Sequence, residues 1–471
     1  MNWEEFRKRG KDAADWAADY HANLRDRPVR AQTKPGDILA ALPLSAPDTA
    51  EPIDDILADL DSTIMPGMTH WQHPRFFAYF PANAAPVSVL AESYVSAIAA
   101  QCMLWQTSPA ATELETRTCD WLRQAVGLPN GFAGVIQDSA SGATLCAVLT
   151  MREKALEWAG NSKGLAGQRT LRIYCSSEVH SSIDRAIWIS GIGEDNLVRI
   201  PSHGATRSMD VAALKAAIAA DRAAGFLPAG IITCVGGTSA GATDDIAAVM
   251  DVAEAENLYT HVDAAWAGAA MICPEYQVLW AGVARADSIV LNPHKWLGAQ
   301  FDCTAHFLRD PATLVKTLAI QPEYLKTHGA DGIINYSEWS VPLGRRFRAL
   351  KLWFLIRAHG LDGLREMIRN HVTWSVGLAD RLRALPDFKI VTEPMMSLFT
   401  FAYAPDRATD LDALNQDLVN KINDDGRIYI TQTRIDGALV IRFQAGAFTC
   451  TKEDVDVAYD VIVEIARGIK T

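Results

Sequence analysis

The 471-residue chain is 49% hydrophobic and 21% charged, with a mean hydropathy of +0.02. This is the balance of a globular protein with a sizeable core, and it excludes a disordered or membrane-embedded chain. A net charge of −12 and a pI near 5.4, with no basic cluster longer than Gly344–Arg348, argue against nucleic acid as the partner. No run approaches the ~18 apolar residues of a membrane span. The charged start, Met1-Asn-Trp-Glu-Glu-Phe-Arg, lacks an apolar signal core, so a cytoplasmic protein without a membrane partner is expected.

Residues 1–78 read as a helical arm of two or three helices joined by Pro-rich turns. In Asp12–Tyr20 apolar and acidic residues alternate at helical spacing, and Arg27-Pro28 breaks the pattern. Such an arm buries little alone and is expected to pack on another body, such as a second subunit. Residues 79–352 read as a large α/β domain. Its β-rich runs, Gly134–Gln137, Leu171–Cys175, Gly230–Val235, Tyr259–Val262 and Ser288–Leu291, alternate with helix formers such as Val211–Ala220. That alternation predicts a mostly parallel sheet with ligands beyond the carboxyl ends of its strands. Residues 353–471 read as a small α+β domain, with strands at Met396–Ala402 and Ala438–Phe443 and a closing helix, Val455–Ala466. The eight cysteines show no C-x-x-C pair and sit mostly in apolar runs, so they are read as reduced and buried, and no metal site is expected.

Two segments carry chemistry together. Asp287-Ser-Ile-Val-Leu-Asn-Pro-His294-Lys295-Trp296 is a strand-like run ending on a lysine, and Tyr259-Thr-His-Val-Asp263-Ala-Ala265-Trp266 is another ending on a carboxylate. Alone, Lys295 reads as a surface lysine and Asp263 as a helix cap. Paired beyond the strand ends of one sheet, they match the imine-forming lysine and the acid on the pyridinium nitrogen that pyridoxal 5′-phosphate (PLP) enzymes require. Gln137-Asp-Ser139-Ala140-Ser141-Gly142 follows a strand and opens a helix, which is either a phosphate cradle or an ordinary Ser N-cap. His180, beyond the strand at Leu171, is either a structural histidine or an imidazole against a cofactor ring. Thr238, in Gly236-Gly-Thr-Ser-Ala-Gly241, belongs to a plain turn or to a loop that brings backbone near a ligand.

These motifs resemble the group II PLP-dependent amino acid decarboxylases, in particular the aromatic L-amino acid decarboxylases. The resemblance runs from Met65-Pro-Gly-Met-Thr-His-Trp71 to Leu343-Gly-Arg-Arg-Phe-Arg348-Ala-Leu-Lys-Leu-Trp353, and includes His73-Pro-Arg-Phe-Phe-Ala-Tyr79-Phe80-Pro81, Thr107–Glu115 and Asn292-Pro-His-Lys295. It implies PLP fold type I, a homodimer with the active site at the subunit boundary, and an N-terminal arm that embraces the partner. By position it makes Lys295 the imine lysine and Asp263 the pyridinium partner, with Ala265 and His180 on the two ring faces. Ser139, Ala140, Ser141 and Asn292 resemble phosphate ligands, and Thr238 and His294 further cofactor contacts. Trp71, Tyr79, Phe80 and Pro81 match the substrate pocket, to which Gln101, Met103 and Gly344 are also assigned.

The departures bear on specificity. Trp266 stands where tyrosine is frequent, Ala82 replaces a hydroxyl residue, and Gln101 and Met103 replace the apolar and aromatic residues that the neighbouring subunit contributes in animal enzymes. Gly344 leaves room for a larger ring than the serine associated with histidine or plant tyrosine decarboxylases. Within Gln321–Gly332, a polar stretch with two glycines that reads as a lid, Tyr324 matches the family's proton donor. Relatives with phenylalanine there release aldehyde and ammonia with oxygen uptake. With Tyr324 and His180 both present, the expected reaction is plain decarboxylation of an aromatic amino acid, with an aldehyde synthase or a non-catalytic PLP-fold scaffold as alternatives.

Overall fold

Seven strands form the central sheet of residues 82–370. In chain order they are β1 (Ala133–Gln137), β2 (Leu171–Ser176), β3 (Leu197–Ile200), then, after a small hairpin of β4 (Ser202–His203) and β5 (Ser208–Met209), β6 (Leu227–Cys234), β7 (Tyr259–Asp263), β8 (Ser288–Leu291) and β9 (Thr304–Leu308). Their order is β1-β9-β8-β7-β6-β2-β3. The five strands from β8 to β3 run parallel, and β9 is antiparallel to both of its neighbours, so the expected mostly parallel sheet is present. β7 and β8 are buried along their whole length; β8 shows this as the apolar run Ile289–Leu291, whereas β7 also buries Thr260, His261 and Asp263.

Helix Ala140–Ala155 lies on this sheet against β6, β7 and β8. Its buried residues include Ala143, Cys146 and Ala147, and such small side chains let a helix approach a sheet closely. Gly230 in β6 serves the same contact, because a Cβ there would lie 2.5 Å from the Met151 sulfur. The computed structural model describes residues 1–320 and 332–469.

A second compact unit consists of residues 1–81 and the chain from His371 onward. A four-stranded antiparallel sheet, β10 (Phe388–Met395), β11 (Leu398–Tyr403), β12 (Thr431–Ile435) and β13 (Ala438–Gln444), takes the order β10-β11-β13-β12. It packs its apolar face on helices Leu411–Asp425 and Lys452–Gly468. The closing helix is longer than the expected Val455–Ala466 because Thr451 and Asp454 form a capping box ahead of it, an arrangement worth about 1 kcal/mol. Helix Ala349–Arg383 is bent at Gly360, whose φ of 62° and ψ of 169° are not helical. All eight cysteines are buried and free. Among the described residues no helix is long and apolar enough to cross a membrane.

Five buried histidines link this core to pH. Burial lowers the pKa of His73 and His371 to about 4 and of His294 and His306 to about 3, and takes His261 well below its ordinary value. Between the ordinary 6.5 and these values the unfolded chain binds protons that the folded chain does not, so stability is full above that window and falls as pH drops through it. Each ring contributes a loss on the order of 1 kcal/mol at pH 5.5. Asp244, raised to about 6 by burial, works in the opposite sense but is a single group. Urea unfolding is expected to give several kcal/mol less stability at pH 5.5 than at pH 7.5; a level or rising stability on acidification would contradict the neutral-core assignment.

Candidate active site

β7 ends on Asp263, and its parallel neighbours β6 and β8 end beside it, so three strand ends open on one cleft. The cleft holds about 690 Å3 of free space, part of it open to solvent. Ser139, Ala140 and Ser141 enter it from the start of helix Ala140–Ala155, His180 from the loop after β2, and Thr238 from the loop after β6. Asp263 and Ala265 come from the end of β7, and Asn292, His294 and Lys295 from the turn after β8. All ten residues selected from the sequence for a cofactor are thus brought together.

Lys295 is carried differently from the sequence expectation. The strand stops at Leu291, since Pro293 cannot extend the ladder, and Pro293–Leu297 forms a single π-helical turn. Inside that turn the Lys295 N–H donates to Asn292 O at 2.9 Å, and the Asn83 side-chain amide donates to Lys295 O at 2.6 Å. Asn292 is itself fixed, accepting from the Thr304 hydroxyl at 2.8 Å. Asp263 is buried, with one carboxylate oxygen accepting from the Ala265 N–H at 3.1 Å.

Ser139 is the N-cap of its helix: its hydroxyl oxygen accepts from the Gly142 N–H at 3.1 Å, and its hydroxyl donates to Asp138 at 3.1 Å. The N-cap reading therefore holds for that side chain. The N–H groups of Ala140 and Ser141 lie in the first turn, where helix geometry supplies no acceptor, and together with the helix dipole they form an anion cradle. Thr238 follows Gly236, whose φ of 86° and tight packing, 2.6 Å from a would-be Cβ to Ala267 Cβ, require glycine. Trp266 locks that loop by donating its indole N–H to Gly236 O at 2.5 Å.

Two neutral imidazoles complete the cleft. His180 Nδ1 accepts from the Ser182 N–H at 3.0 Å, and His294 Nδ1 from the Cys303 N–H at 3.0 Å, which places the proton of each neutral ring on Nε2. Burial lowers the pKa of His180; Lys295 pushes the same way and Asp263 opposes. Burial, then Lys295, lowers that of His294 to about 3. An anion cradle, a buried carboxylate, an amine and neutral rings form a donor set that fits a flat aldehyde carrying a phosphate and a ring nitrogen, as PLP does.

Of the residues read as substrate contacts, Trp71, Tyr79, Phe80 and Pro81 belong to the second compact unit. Trp71 stacks on Phe76 at 4.6 Å and on Tyr79 at 5.9 Å, and the Tyr79 hydroxyl is 3.3 Å from that of Tyr429. Phe80 fills the space a Cβ on Gly446 would take, and Pro81 is buried beside it in the chain. Gln101, Met103 and Gly344 are not among the described residues lining the cleft. Instead, Gln101 Oε1 accepts from the Arg345 N–H at 2.7 Å, Met103 O from the Ser337 N–H at 3.0 Å, and a Cβ on Gly344 would stand 3.3 Å from Gln101 Nε2. Tyr324 lies outside the described residues.

Residues 35–404 match the family model of the pyridoxal-dependent decarboxylase conserved domain. The chain belongs to the pyridoxal-dependent decarboxylase family. As such a decarboxylase, it is 38% identical over 483 aligned positions to aromatic-L-amino-acid decarboxylase of Rattus norvegicus, spanning 100% of this chain and 99% of the relative. It is 36% identical to phenylacetaldehyde synthase of Petunia hybrida, spanning 98% and 94%. The crystal structure of Oryza sativa TDC with PLP and tryptamine superposes with a TM-score of 0.96 at 34% identity, over 99% of each chain. Fold type I and PLP as cofactor follow for this decarboxylase. Ser182 and Cys234 also line its cleft and are not among the site residues selected from the sequence. Cys234 is the last residue of β6, so taking the end of every parallel strand would find it; Ser182 carries no comparable signal.

Proposed function

We propose that this PLP-dependent carboxy-lyase removes the carboxylate of an aromatic L-amino acid (tryptophan, tyrosine, phenylalanine or 3,4-dihydroxyphenylalanine), releasing CO2 and the arylalkylamine. The observation that carries this reading is the meeting of Lys295, Asp263, His180 and the Ser139–Ser141 turn in one cleft of a pyridoxal-dependent decarboxylase. Bound PLP supplies an electron sink for the breaking Cα–carboxylate bond. Lys295 would supply the amine that anchors the cofactor's aldehyde group. Asp263 keeps a proton on the ring nitrogen through a charge-assisted hydrogen bond. His180 and Ala265 would face the two sides of the cofactor ring, the Ser139–Ser141 turn and Asn292 would take the phosphate, and Thr238 and His294 would add contacts. Trp71, Tyr79, Phe80, Pro81, Gln101, Met103 and Gly344 are proposed as substrate contacts on the family resemblance.

Incubation with each proteinogenic amino acid and 3,4-dihydroxyphenylalanine tests the reading. Equal amounts of CO2 and amine from an aromatic substrate are expected; product only from a non-aromatic one, or none at all, would defeat it. The second reading, an aldehyde synthase, is favoured by the similarity to the Petunia enzyme. Tyr324 separates the two, because its hydroxyl is proposed to return a proton to Cα after CO2 leaves. Tyr324→Phe is expected to shift product from amine toward aldehyde, with matching ammonia and oxygen uptake, while substrate still binds. Amine at the parental rate without aldehyde would remove Tyr324 as donor.

The enzyme is further proposed to act as a cytoplasmic homodimer in which the N-terminal arm contributes to the interface. Supporting this, helix Trp3–Ala22 has no buried residue and exposes Trp3 and Phe6, and helix Pro86–Ile98 exposes Leu90, Tyr94 and Ile98. Sedimentation at twice the chain mass is expected; an active monomer would contradict it.

A further inference from the structure

We propose that the buried Glu115–Arg345 ion pair positions the Ser139–Ser141 turn and so sets how tightly the protein holds the phosphate of its cofactor, an inference that rests on the cofactor reading above. Among the described residues, β1 is an edge strand whose only neighbour in the sheet is β9. At Ile136 the backbone is nevertheless satisfied on the strand's open side, by side chains. The Ile136 N–H donates to Glu115 Oε1 at 2.8 Å, and Arg345 Nη2 donates to Ile136 O at 2.8 Å. The same Nη2 donates to Glu115 Oε1 at 2.6 Å, closing a three-membered network, while Nη1 donates to Tyr336 O at 2.9 Å. The pair stands where a further strand would stand.

Its location gives the network a functional reach. Gln137, the next residue, ends β1 and donates from its side chain to Trp339 O at 2.7 Å, so the segment held by Arg345 also holds the strand end. Ser139 caps the cofactor helix three residues after Ile136, with only Asp138 between the strand end and the cap. Both charged side chains are almost wholly buried, at 2% and 3% exposure. A pair this dry gains little net stability over an apolar replacement, because desolvation offsets the attraction. What it supplies is fixed geometry: a planar fork that binds three acceptors at set angles. A cradle made of backbone N–H groups depends on such geometry, since those groups cannot re-aim as a side chain can.

The test compares the parent with Glu115→Gln and Arg345→Lys as apo-proteins, titrated with PLP and separately with pyridoxal, which lacks the phosphate, following tryptophan fluorescence. PLP affinity is expected to weaken by about tenfold to a hundredfold in both variants, as for a misplaced binding group. Pyridoxal affinity is expected to stay at the parental value, and inorganic phosphate to compete less well for the variants than for the parent. Lysine keeps the charge but not the fork, so Arg345→Lys is expected not to rescue binding. Glu115→Gln, of nearly equal volume and still an acceptor for the Ile136 N–H, carries the test if Arg345→Lys does not fold. Unchanged PLP affinity, or equal weakening for PLP and pyridoxal, would overturn the positioning role. A parent apo-protein that binds no PLP would instead defeat the cofactor reading.

Discussion

Lys295→Ala is expected to lose turnover by at least about a thousandfold, together with the near-visible absorbance that a lysine-bound cofactor gives. The backbone around this lysine is held from several directions: its own N–H bonds to Asn292, and its carbonyl takes the Asn83 amide at 2.6 Å. Truncation at Cβ therefore removes the amine without dismantling the π-helical turn that carries it. Phosphate contacts remain, so the variant is expected to bind PLP reversibly, with dialysis removing it. Residual decarboxylation near the parental rate, or retained covalent cofactor, would show that another lysine does the work.

Asp263→Asn is expected to cost roughly a hundredfold to a thousandfold in kcat, the scale seen when one preorganised electrostatic partner is removed. Asparagine keeps the shape, and its amide oxygen can still accept from the Ala265 N–H that now bonds Asp263 Oδ1 at 3.1 Å. What disappears is the negative charge proposed to hold a proton on the ring nitrogen. Cofactor affinity should fall far less than turnover, because the anion cradle at Ala140–Ser141 is untouched. Equal losses in both quantities would mean that Asp263 serves as a binding anchor, and a near-normal rate would remove it from the chemistry.

Much of this cleft could be read in the sequence because a parallel sheet puts its chemistry at strand ends. Asp263 closes β7 as its run of β-formers implies, and Ser139 opens its helix after β1. Lys295 was harder, since local patterning does not distinguish a strand that continues from one that stops at a proline and turns. β9 escaped detection: Thr304–Leu308 is antiparallel to both neighbours and separated from β8 by a single π-helical turn rather than a full helix, so it breaks the alternation that revealed its neighbours. β3 and β10 were equally silent, the first only four residues long and the second irregular in register. The Glu115–Arg345 network joins residues 230 positions apart, a distance over which patterning carries no information.

Borohydride reduction of the PLP-loaded enzyme, followed by digestion and mass mapping of the modified peptide, tests the central assignment most directly. The account predicts one phosphopyridoxyl group per chain, on Lys295 in the peptide that contains Asn292-Pro-His. Modification confined to any other lysine, or an absence of fixed cofactor in an enzyme that still decarboxylates, would contradict it.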